Sequence, residues 1–302
     1  MFDQIHLRAL TAIINEGSFD AAAAVLHVTP SAVSQRIRAL EETAGTALLV
    51  RSQPARATEA GQILYQHAQT VSLLEQNLAS HFHSDGLQNT RAQVRVAVNA
   101  DSLDTWFIPA MAQAQSEASL LFDIISVDQD HTLQRLREGD VQAAVTTEPN
   151  PVAGCDCRPL GSLRYVASCS PKFAENWFSD GVTQQSLQQA PALVFDRNDA
   201  LQKQWVHREI GRRVPLLRTH ILPSTKGFVA AAEAGLGWGM NPENLVRDRI
   251  ADGKLIAMGQ HPKLDTPLYW QVSRVVAQPL HPLTRAVTQL ARKNLVHPKL
   301  EN

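Results

Sequence analysis

Near the start of the chain, apolar residues recur at every third or fourth position, which is the spacing of helices that bury one face. Three segments carry this pattern, at residues 5–16, 19–26 and 30–44. Ser18 and Thr29 precede the second and third segments as N-cap residues, and Pro30 suits the first turn of a helix. A short hairpin is expected at residues 48–54. The pattern therefore predicts three helices followed by a wing.

A longer helix of roughly 25 residues, about 37 Å in length, is predicted from Thr58 onward. It carries an apolar stripe with few charges, formed by Leu64, Ala68, Val71, Leu74 and Leu78. No neighbouring segment obviously covers this stripe, so a second copy of the chain is one expected partner. Packing on the chain's own C-terminal part is the alternative. The polar residues 83–90 follow and predict a hinge.

After residue 90 the pattern changes to alternating strands and helices, which predicts a largely parallel α/β sheet. Strands are expected at residues 94–98, 120–127, 141–146, 235–239 and 268–275, and near Val166 and Leu193. Helices are expected at residues 106–115, 132–138 and 282–294, and near Leu201 and Phe228. Trp106, Trp238 and Trp270 are interpreted as core residues rather than ligand walls.

The expected fold is α/β with an N-terminal all-α winged helix-turn-helix, a long linker helix and a two-lobed effector domain. The predicted divisions are residues 1–58 for the winged domain, 59–90 for the linker helix and hinge, 91–164 with 266–302 for lobe I, and 165–265 for lobe II. The 302 residues with 44% apolar content suffice for such a multi-domain arrangement.

The composition argues against a secreted or membrane protein and is unusual for a nucleic-acid binder. We find no signal peptide and no apolar run long enough for a membrane span, so a cytoplasmic protein without a membrane partner is expected. The three cysteines and eleven histidines show no metal-ligand spacing, and no cofactor is predicted. The net charge of −1 is unusual for a nucleic-acid binder. Residues 1–60 hold five arginines against six acids, so DNA binding depends on where the charges lie.

The third helix and the wing nevertheless place polar and cationic groups where a helix-turn-helix reads DNA. Arginine makes bidentate contacts with guanine, and hydroxyls and free N–H groups at a helix start favour phosphate. The candidate DNA-binding residues are Thr29, Pro30, Ser31, Ser34, Gln35, Arg36, Arg38, Arg51 and Arg56. A solvated polar helix face is the alternative. The cap, the short Ala-rich second helix and the wing together favour double-stranded DNA.

The sequence of these segments resembles the LysR-type transcriptional regulators. The resemblance is carried by residues 17–23, 28–41, 48–51 and 58–61, and the order of domains fits along the whole chain. It implies a homodimer through the linker helices and often a homotetramer, bound at a promoter or operator, with RNA polymerase as a candidate partner. It also implies an effector cleft between two lobes similar to those of periplasmic binding proteins.

Within that family, the effector domain resembles the ArgP/LysG subgroup. Residues 98–107, 127–131, 144–148, 235–239 and 268–271 carry this resemblance. Such regulators sense basic amino acids, chiefly lysine and arginine, and control amino-acid exporter and biosynthetic genes. Asn241 before Pro242 departs from the pattern of many relatives, which have an apolar residue there.

Candidate effector-binding residues follow predicted strands or open predicted helices, where ligands of α/β sheets collect. They are Asn99, Asp101, Ser102, Asp128, Thr146, Glu148, Asp196, Ser224 and Thr225. Hydroxyls at Ser102, Ser224 and Thr225 would hold a carboxylate, and the acids would hold ammonium groups. Helix capping by the hydroxyls, and turn formation by Asp101, are the alternatives.

Two other functions compete with a ligand-controlled regulator. An enzyme with an accessory DNA domain lacks support, because no nucleophile elbow, P-loop or dinucleotide fingerprint is present; we therefore expect no enzymatic activity. An effector-independent architectural or replication-origin DNA binder is the second alternative. The near-neutral charge disfavours it, since non-specific binding depends on neutralising phosphates.

Overall fold

The computed structural model describes residues 1–50, 52–81, 92–118, 120–126 and 129–297. The side chains of residues 80, 81, 92 and 129–131 are not described within those ranges. The predicted hinge at residues 83–90, Arg51 of the wing and Asp128 of the effector site lie outside the described residues.

The N-terminal domain is the predicted winged helix-turn-helix. Its elements are α1 (Gln4–Glu16), α2 (Phe19–Val25), α3 (Pro30–Ala44), β1 (Leu49–Val50) and β2 (Arg56–Ala57). The side chains of Ser18 and Thr29 accept backbone N–H bonds from Ala21 at 3.1 Å and Ala32 at 3.2 Å, so both predicted N-caps are confirmed. Gly17 ends α1 with φ of 73°, a left-handed conformation that glycine adopts at little cost.

The linker helix α4 (Glu59–His81) has 23 residues and joins two hydrophobic cores. Leu64 and Ala68 are buried in the core of the winged domain, whereas Leu73 is buried in the core of the C-terminal domain. The helix begins tight against the wing, because a Cβ on Gly61 would lie 1.9 Å from the carbonyl oxygen of Leu48. The expectation that a second copy of the chain covers the stripe is therefore wrong for Leu64 and Ala68, which the winged domain of the same chain covers.

The effector domain alternates strands and helices from residue 92 to the end of the described chain. Its first elements are β3 (Ala92–Val98), α5 (Ala100–Ser102), a π-helical turn (Leu103–Phe107), α6 (Ile108–Glu117), β4 (Leu120–Ser126), α7 (Gln129–Arg137), β5 (Ala143–Thr146) and β6 (Cys155–Cys169). Next come α8 (Pro171–Trp177), α9 (Gln184–Gln189), β7 (Ala192–Val194), α10 (Leu201–Ile210), β8 (Thr219–Ile221), α11 (Thr225–Glu233) and β9 (Gly239–Pro242). The last are α12 (Glu243–Ala251), β10 (Ile256–Ala257), β11 (Lys263–Ser273), a 3-10 turn (Arg274–Val276) and α13 (His281–Asn294).

Seven of the strands form one mixed sheet, in which β10, β6, β11, β5, β3 and β4 follow one another and β9 also pairs with β6. Among the described residues of this sheet, the parallel pairs are those that β3 makes with β4 and β5, and the pairs made by β6 and β11 are antiparallel. The strands β7 and β8 pair in parallel in a separate two-stranded sheet. The prediction of a largely parallel sheet is therefore wrong. Its cause is β6, which was expected only near Val166 and instead starts at Cys155.

Two long strands, β6 and β11, run through both lobes and pair with each other. The predicted lobe boundaries fall inside this pair, where Leu163 lies opposite Thr266 and Arg164 opposite Asp265. Arg164 donates from Nε and Nη2 to the two carboxylate oxygens of Asp265, each at 2.7 Å. A bidentate pair of this kind fixes the register of the crossing strands.

The glycine-rich segment at residues 235–239 is not the predicted strand. Gly235 has φ of 77° and belongs to a turn, and β9 starts only at Gly239. A Cβ at Gly239 would lie 2.4 Å from Cε1 of Phe228. The close approach of α11 to β9 therefore explains this glycine, which the sequence pattern attributed to strand structure.

The predicted core role of Trp106, Trp238 and Trp270 is confirmed, because all three side chains have no exposed surface. Phe107 stands edge-on to Trp106, and Trp205 packs against Trp238 with ring centroids 5.0 Å apart. One continuous apolar cluster contains these rings and extends through both lobes. It supports the strands whose ends form the site described next.

Candidate functional site

A cavity of about 510 Å³ lies at the junction of the two lobes. Lobe I contributes residues that follow β3 and β5 and the last residue of β4, and lobe II contributes the loop after β7 and the start of α11. Its polar lining residues are Asn99, Asp101, Ser126, Thr147, Tyr165, Asp196, Asn198, Asp199, Gln204, Thr225 and Thr266. The volume is that of a pocket for a small molecule.

Asp101 of lobe I accepts hydrogen bonds from two other residues that line the cleft. Its Oδ2 accepts a 2.6 Å hydrogen bond from the hydroxyl of Tyr165, and its Oδ1 accepts a 2.8 Å bond from the hydroxyl of Thr225. Burial raises the pKa of Asp101, and nearby Asp199 and Asp104 raise it further, against the effect of the two hydrogen bonds. A cation beside this carboxylate would therefore be favoured.

Local helix geometry explains the position of Asp101. Asn99 follows the last residue of β3 and precedes α5, and the π-helical turn then adds one residue per turn. Thr105 Oγ1 donates to the backbone oxygen of Asp101 at 2.6 Å within this turn. π-turns are frequent at functional sites, and this one lets Asp101 reach the cleft while Trp106 enters the core.

The loop after β7 supplies two further carboxylates. Asp196 Oδ1 accepts backbone N–H bonds from Asn198 at 2.7 Å and Asp199 at 2.9 Å. Asp199 in turn accepts from the backbone N–H groups of Phe195 at 2.9 Å and Leu201 at 3.0 Å. The acids thus shape a tight turn before α10, and they also line the cavity.

The cleft is strongly acidic. Asp101, Asp196 and Asp199 line it, whereas no Lys, Arg or His is among its described lining residues. The buried Oδ1 of Asn99 has no hydrogen-bond partner among the described residues and is a further acceptor. Acceptors without a matching cation are costly in a partly buried site, so this arrangement is suited to binding a cationic ligand.

The structure brings four of the nine predicted effector residues to the cleft: Asn99, Asp101, Asp196 and Thr225. Thr225, however, was expected to hold a carboxylate, and its hydroxyl donates to Asp101 instead.

Four other predicted effector residues do not line the cavity, and each has a local reason. Ser102 is fully buried behind Asp101. Thr146 Oγ1 accepts the backbone N–H of Glu148 at 3.1 Å, and Glu148 in turn accepts from the backbone and side chain of Asn150. Ser224 caps α11 by accepting from Gly227 N–H at 3.1 Å. The capping alternative is therefore the better account of Ser224.

Sequence reasoning missed Asp199 and Tyr165. Asp199 stands three residues after Asp196 in the same turn, and this Asp-x-x-Asp spacing after a predicted strand is a signal that would have included it. Tyr165 gave no such signal, because it lies within the crossing strand β6. Burial and the charge of Asp101 raise the pKa of Tyr165 well above its usual value, so it remains a hydrogen-bond donor.

The predicted DNA-reading face is present on the outer side of α3. Ser31, Gln35 and Arg38 are exposed at positions about one helical turn apart. Thr29 and Pro30 at the start of the helix are also exposed, while Ser34 and Arg36 are half-buried. The hydroxyls of Thr29 and Ser31 lie 2.9 Å apart at the helix start. Arg56 is exposed on the wing. Within the described part of the chain, Arg36, Arg38 and Arg56 form no ion pair, so they are available to phosphates.

The outer face of α4 retains an apolar stripe after Leu64 and Ala68 are assigned to the winged core. Leu74 and Leu78 are exposed and Val71 is half-buried, as a helix that pairs with a second copy would require. Ile63 is also exposed, at 62%, and sequence reasoning missed it. It lies on the same side at helical spacing.

The fold and the cleft together define a class: a DNA-binding protein whose winged helix-turn-helix is joined by one helix to a two-lobed small-molecule domain. Residues 5–62 match the bacterial regulatory helix-turn-helix protein, lysR family, and residues 87–298 match the LysR substrate binding domain. The chain belongs to the LysR-type transcriptional regulators. Among the residues described, no helix is both long and apolar enough to span a membrane.

Individual relatives agree with this family. The chain is 47% identical over 270 residues to the HTH-type transcriptional regulator LysG of Mycobacterium tuberculosis H37Rv, covering 89% of this chain and 87% of that protein. It is similar to the crystal structure of ArgP from M. tuberculosis, with 41% identity, a TM-score of 0.79 and coverage of 99% and 100%. It is also similar to full-length LysG from Corynebacterium glutamicum with bound effector Arg, with 38% identity, a TM-score of 0.67 and coverage of 98% and 100%.

Proposed function

We propose that this LysR-type regulator is controlled by a basic amino acid, lysine or arginine, bound in the interlobe cleft. The observation that carries the proposal is the charge of the cleft, which is lined by three carboxylates and by no cationic side chain among its described residues. A ligand with two cationic groups offsets more of this charge than a neutral amino acid does.

The two lobes offer one acidic position each. Asp101 and the unpartnered Oδ1 of Asn99 lie on lobe I, whereas Asp196 and Asp199 lie on lobe II. One ammonium group of the ligand would bind Asp101, and the other cationic end would bind the loop after β7. Such a ligand bridges the lobes and therefore favours a closed cleft over an open one.

The relatives support this choice of ligand. The C. glutamicum LysG structure, which is similar to 98% of the length of the present chain, has arginine as its bound effector. We extend that chemistry to this chain and propose, from the names of its relatives, that it acts on amino-acid exporter or biosynthetic genes.

The regulator acts on promoter DNA as a homodimer or homotetramer, with α3 as the reading helix and the exposed stripe of α4 as part of the contact between copies. Because its partner is chromosomal DNA, we place it in the cytoplasm. RNA polymerase is a partner through which the bound regulator changes transcription. The function requires no turnover of the ligand.

Isothermal titration calorimetry with L-lysine and L-arginine tests the proposal. L-norleucine and L-citrulline are matched controls that lack the distal charge, because norleucine keeps the four-carbon side chain of lysine and citrulline keeps the size of arginine. We expect saturable binding of at least one basic amino acid, and at least tenfold weaker binding of its neutral counterpart. Equal binding of the charged and neutral members of a pair would contradict the electrostatic argument.

A further inference from the structure

The linker helix α4 contacts both functional domains of its own chain over a short stretch. The core of the winged domain contains Leu64 and Ala68, and Tyr65 is buried beside them. Leu73 is 1% exposed and belongs to the core of the effector domain. A helix that is packed into both domain cores in this way is a rigid element, so a shift of one domain against the helix moves the other domain.

Two consecutive polar residues of α4 lie where the domains meet. The hydroxyl of Tyr65 donates a 2.8 Å hydrogen bond to Oδ1 of Asn15 at the end of α1. Gln66 Nε2 donates to Oδ1 of Asp140 in lobe I at 3.4 Å. The two side chains therefore hold the winged domain on one side and the effector lobe on the other.

A charged cluster on lobe I receives Gln66. Arg95 of β3 donates from Nη1 to Asp140 at 2.6 Å and from Nε to Asp123 of β4 at 2.7 Å, and Arg135 also binds Asp140. Burial lowers the pKa of Arg95, but Asp123 and Asp140 raise it by more, so the guanidinium remains charged. The cluster is part-buried and each member is paired, which makes its geometry well defined.

The same strand leads directly to the effector cleft. Arg95 lies in the middle of β3, and Asn99 and Asp101 follow its last residue. The cavity of about 10 Å³ between α4 and β3 is lined by Tyr65, Gln66 and Arg95 among others, so little space separates helix from strand. The helix α4 and the strand β3 are therefore in direct contact.

We propose that Tyr65 and Gln66 of α4, with Arg95 and Asp140 of lobe I, form a coupling junction between the DNA-binding domain and the effector lobe within one chain. Tyr65 and Gln66 are positioning residues that touch neither DNA nor the cleft. Because coupling between two binding sites is reciprocal in free energy, a ligand that changes the affinity for DNA is itself bound with an affinity changed by the same factor when DNA is present. We therefore expect DNA bound at the winged domain to change the dynamics of β3.

The effect of DNA on β3 can be measured without knowing the identity of the effector. Hydrogen–deuterium exchange of peptides covering β3 is measured by mass spectrometry, with and without a saturating random-sequence duplex of about 40 base pairs at about 50 mM salt. In the wild type we expect DNA to change exchange in β3 at least threefold. In the variant Tyr65→Phe/Gln66→Leu we expect less than half of that change.

The control is Gln4→Leu, which removes a hydrogen bond between α1 and Glu75 of α4 but no contact with the effector domain. It should retain the full β3 response. Tyr65→Phe alone, which is a milder change than the double variant, should give an intermediate response if the double variant is poorly folded. The proposal is overturned by a wild type without a β3 response, by a double variant with a full response, or by a control that loses it.

Discussion

Replacing Asp101 by Asn should separate ligand binding from stability. The carboxylate is the meeting point of the Tyr165 and Thr225 hydroxyls and of the cationic ligand proposed for the cleft. Removing one partner of a partly buried, hydrogen-bonded charge pair costs about 2–5 kcal/mol, and Asn retains one acceptor oxygen, so the lower part of that range, about 2–3 kcal/mol, applies. We expect lysine or arginine to bind roughly 30- to 150-fold more weakly.

The stability of the ligand-free protein should change in the opposite direction. Because burial raises the pKa of Asp101, the folded protein holds this proton to a higher pH than the unfolded chain does. Ionisation at neutral pH therefore costs the folded state free energy, and Asn carries no such cost. The ligand-free variant should melt at or above the wild-type temperature at pH 7. The difference should shrink as the pH falls through the raised pKa of Asp101.

Two measurements check this prediction. Calorimetric titration of wild type and Asp101→Asn gives the ratio of Kd values, and thermal unfolding at a series of pH values from neutral pH downward gives the stability difference as Asp101 takes up its proton. Ligand affinity of the wild type should also weaken over that series as the pH falls. An unchanged Kd in the variant would refute the assignment of Asp101 to the ligand's cation.

Three further predictions concern the other surfaces. Arg38→Ala should weaken DNA binding in a fluorescence anisotropy assay and reduce the slope of log K against log salt by about 1, whereas the exposed Arg292→Ala on α13 should change neither. Leu78 is 59% exposed, so Leu78→Glu should leave the melting temperature within a few degrees of wild type. The variant should shift the protein toward monomer in analytical ultracentrifugation. An unchanged distribution of monomer and oligomer would exclude this face of α4 from the contact between copies. Gly61→Ala would force a Cβ to 1.9 Å from the Leu48 carbonyl, so it should destabilise the winged domain by about 2 kcal/mol or more in urea unfolding, and a fully stable variant would contradict the packing at this position.

The winged domain was predictable because its signals are local. The caps at Ser18 and Thr29 and the apolar spacing within each helix specify structure over a few residues, and each was confirmed. By contrast, the fate of Leu64 and Ala68 depends on how α4 docks against α1, which no local pattern records. The apolar stripe of α4 was therefore interpreted as one contact surface, whereas Leu64 and Ala68 pack in the winged domain and Leu74 and Leu78 are exposed.

The sheet was harder to predict because β6 and β11 obtain their partners from distant parts of the chain. Cys155 pairs with Ser273, more than a hundred residues away, and the start of β6 carries a Pro and a Gly that disguise a strand. Asp101 and Asp196 were found because they directly follow strands. Tyr165 was not, because a mid-strand residue reaches the cleft only through the crossing of the lobes.

A crystal structure of the protein grown with L-arginine or L-lysine would show whether the acidic interlobe cleft holds the cation of a basic amino acid. We expect ligand density bridging the lobes, with one cationic nitrogen about 3 Å from the Asp101 carboxylate and the other beside the turn that contains Asp196 and Asp199. Ligand density elsewhere, or a carboxylate facing Asp101, would contradict it.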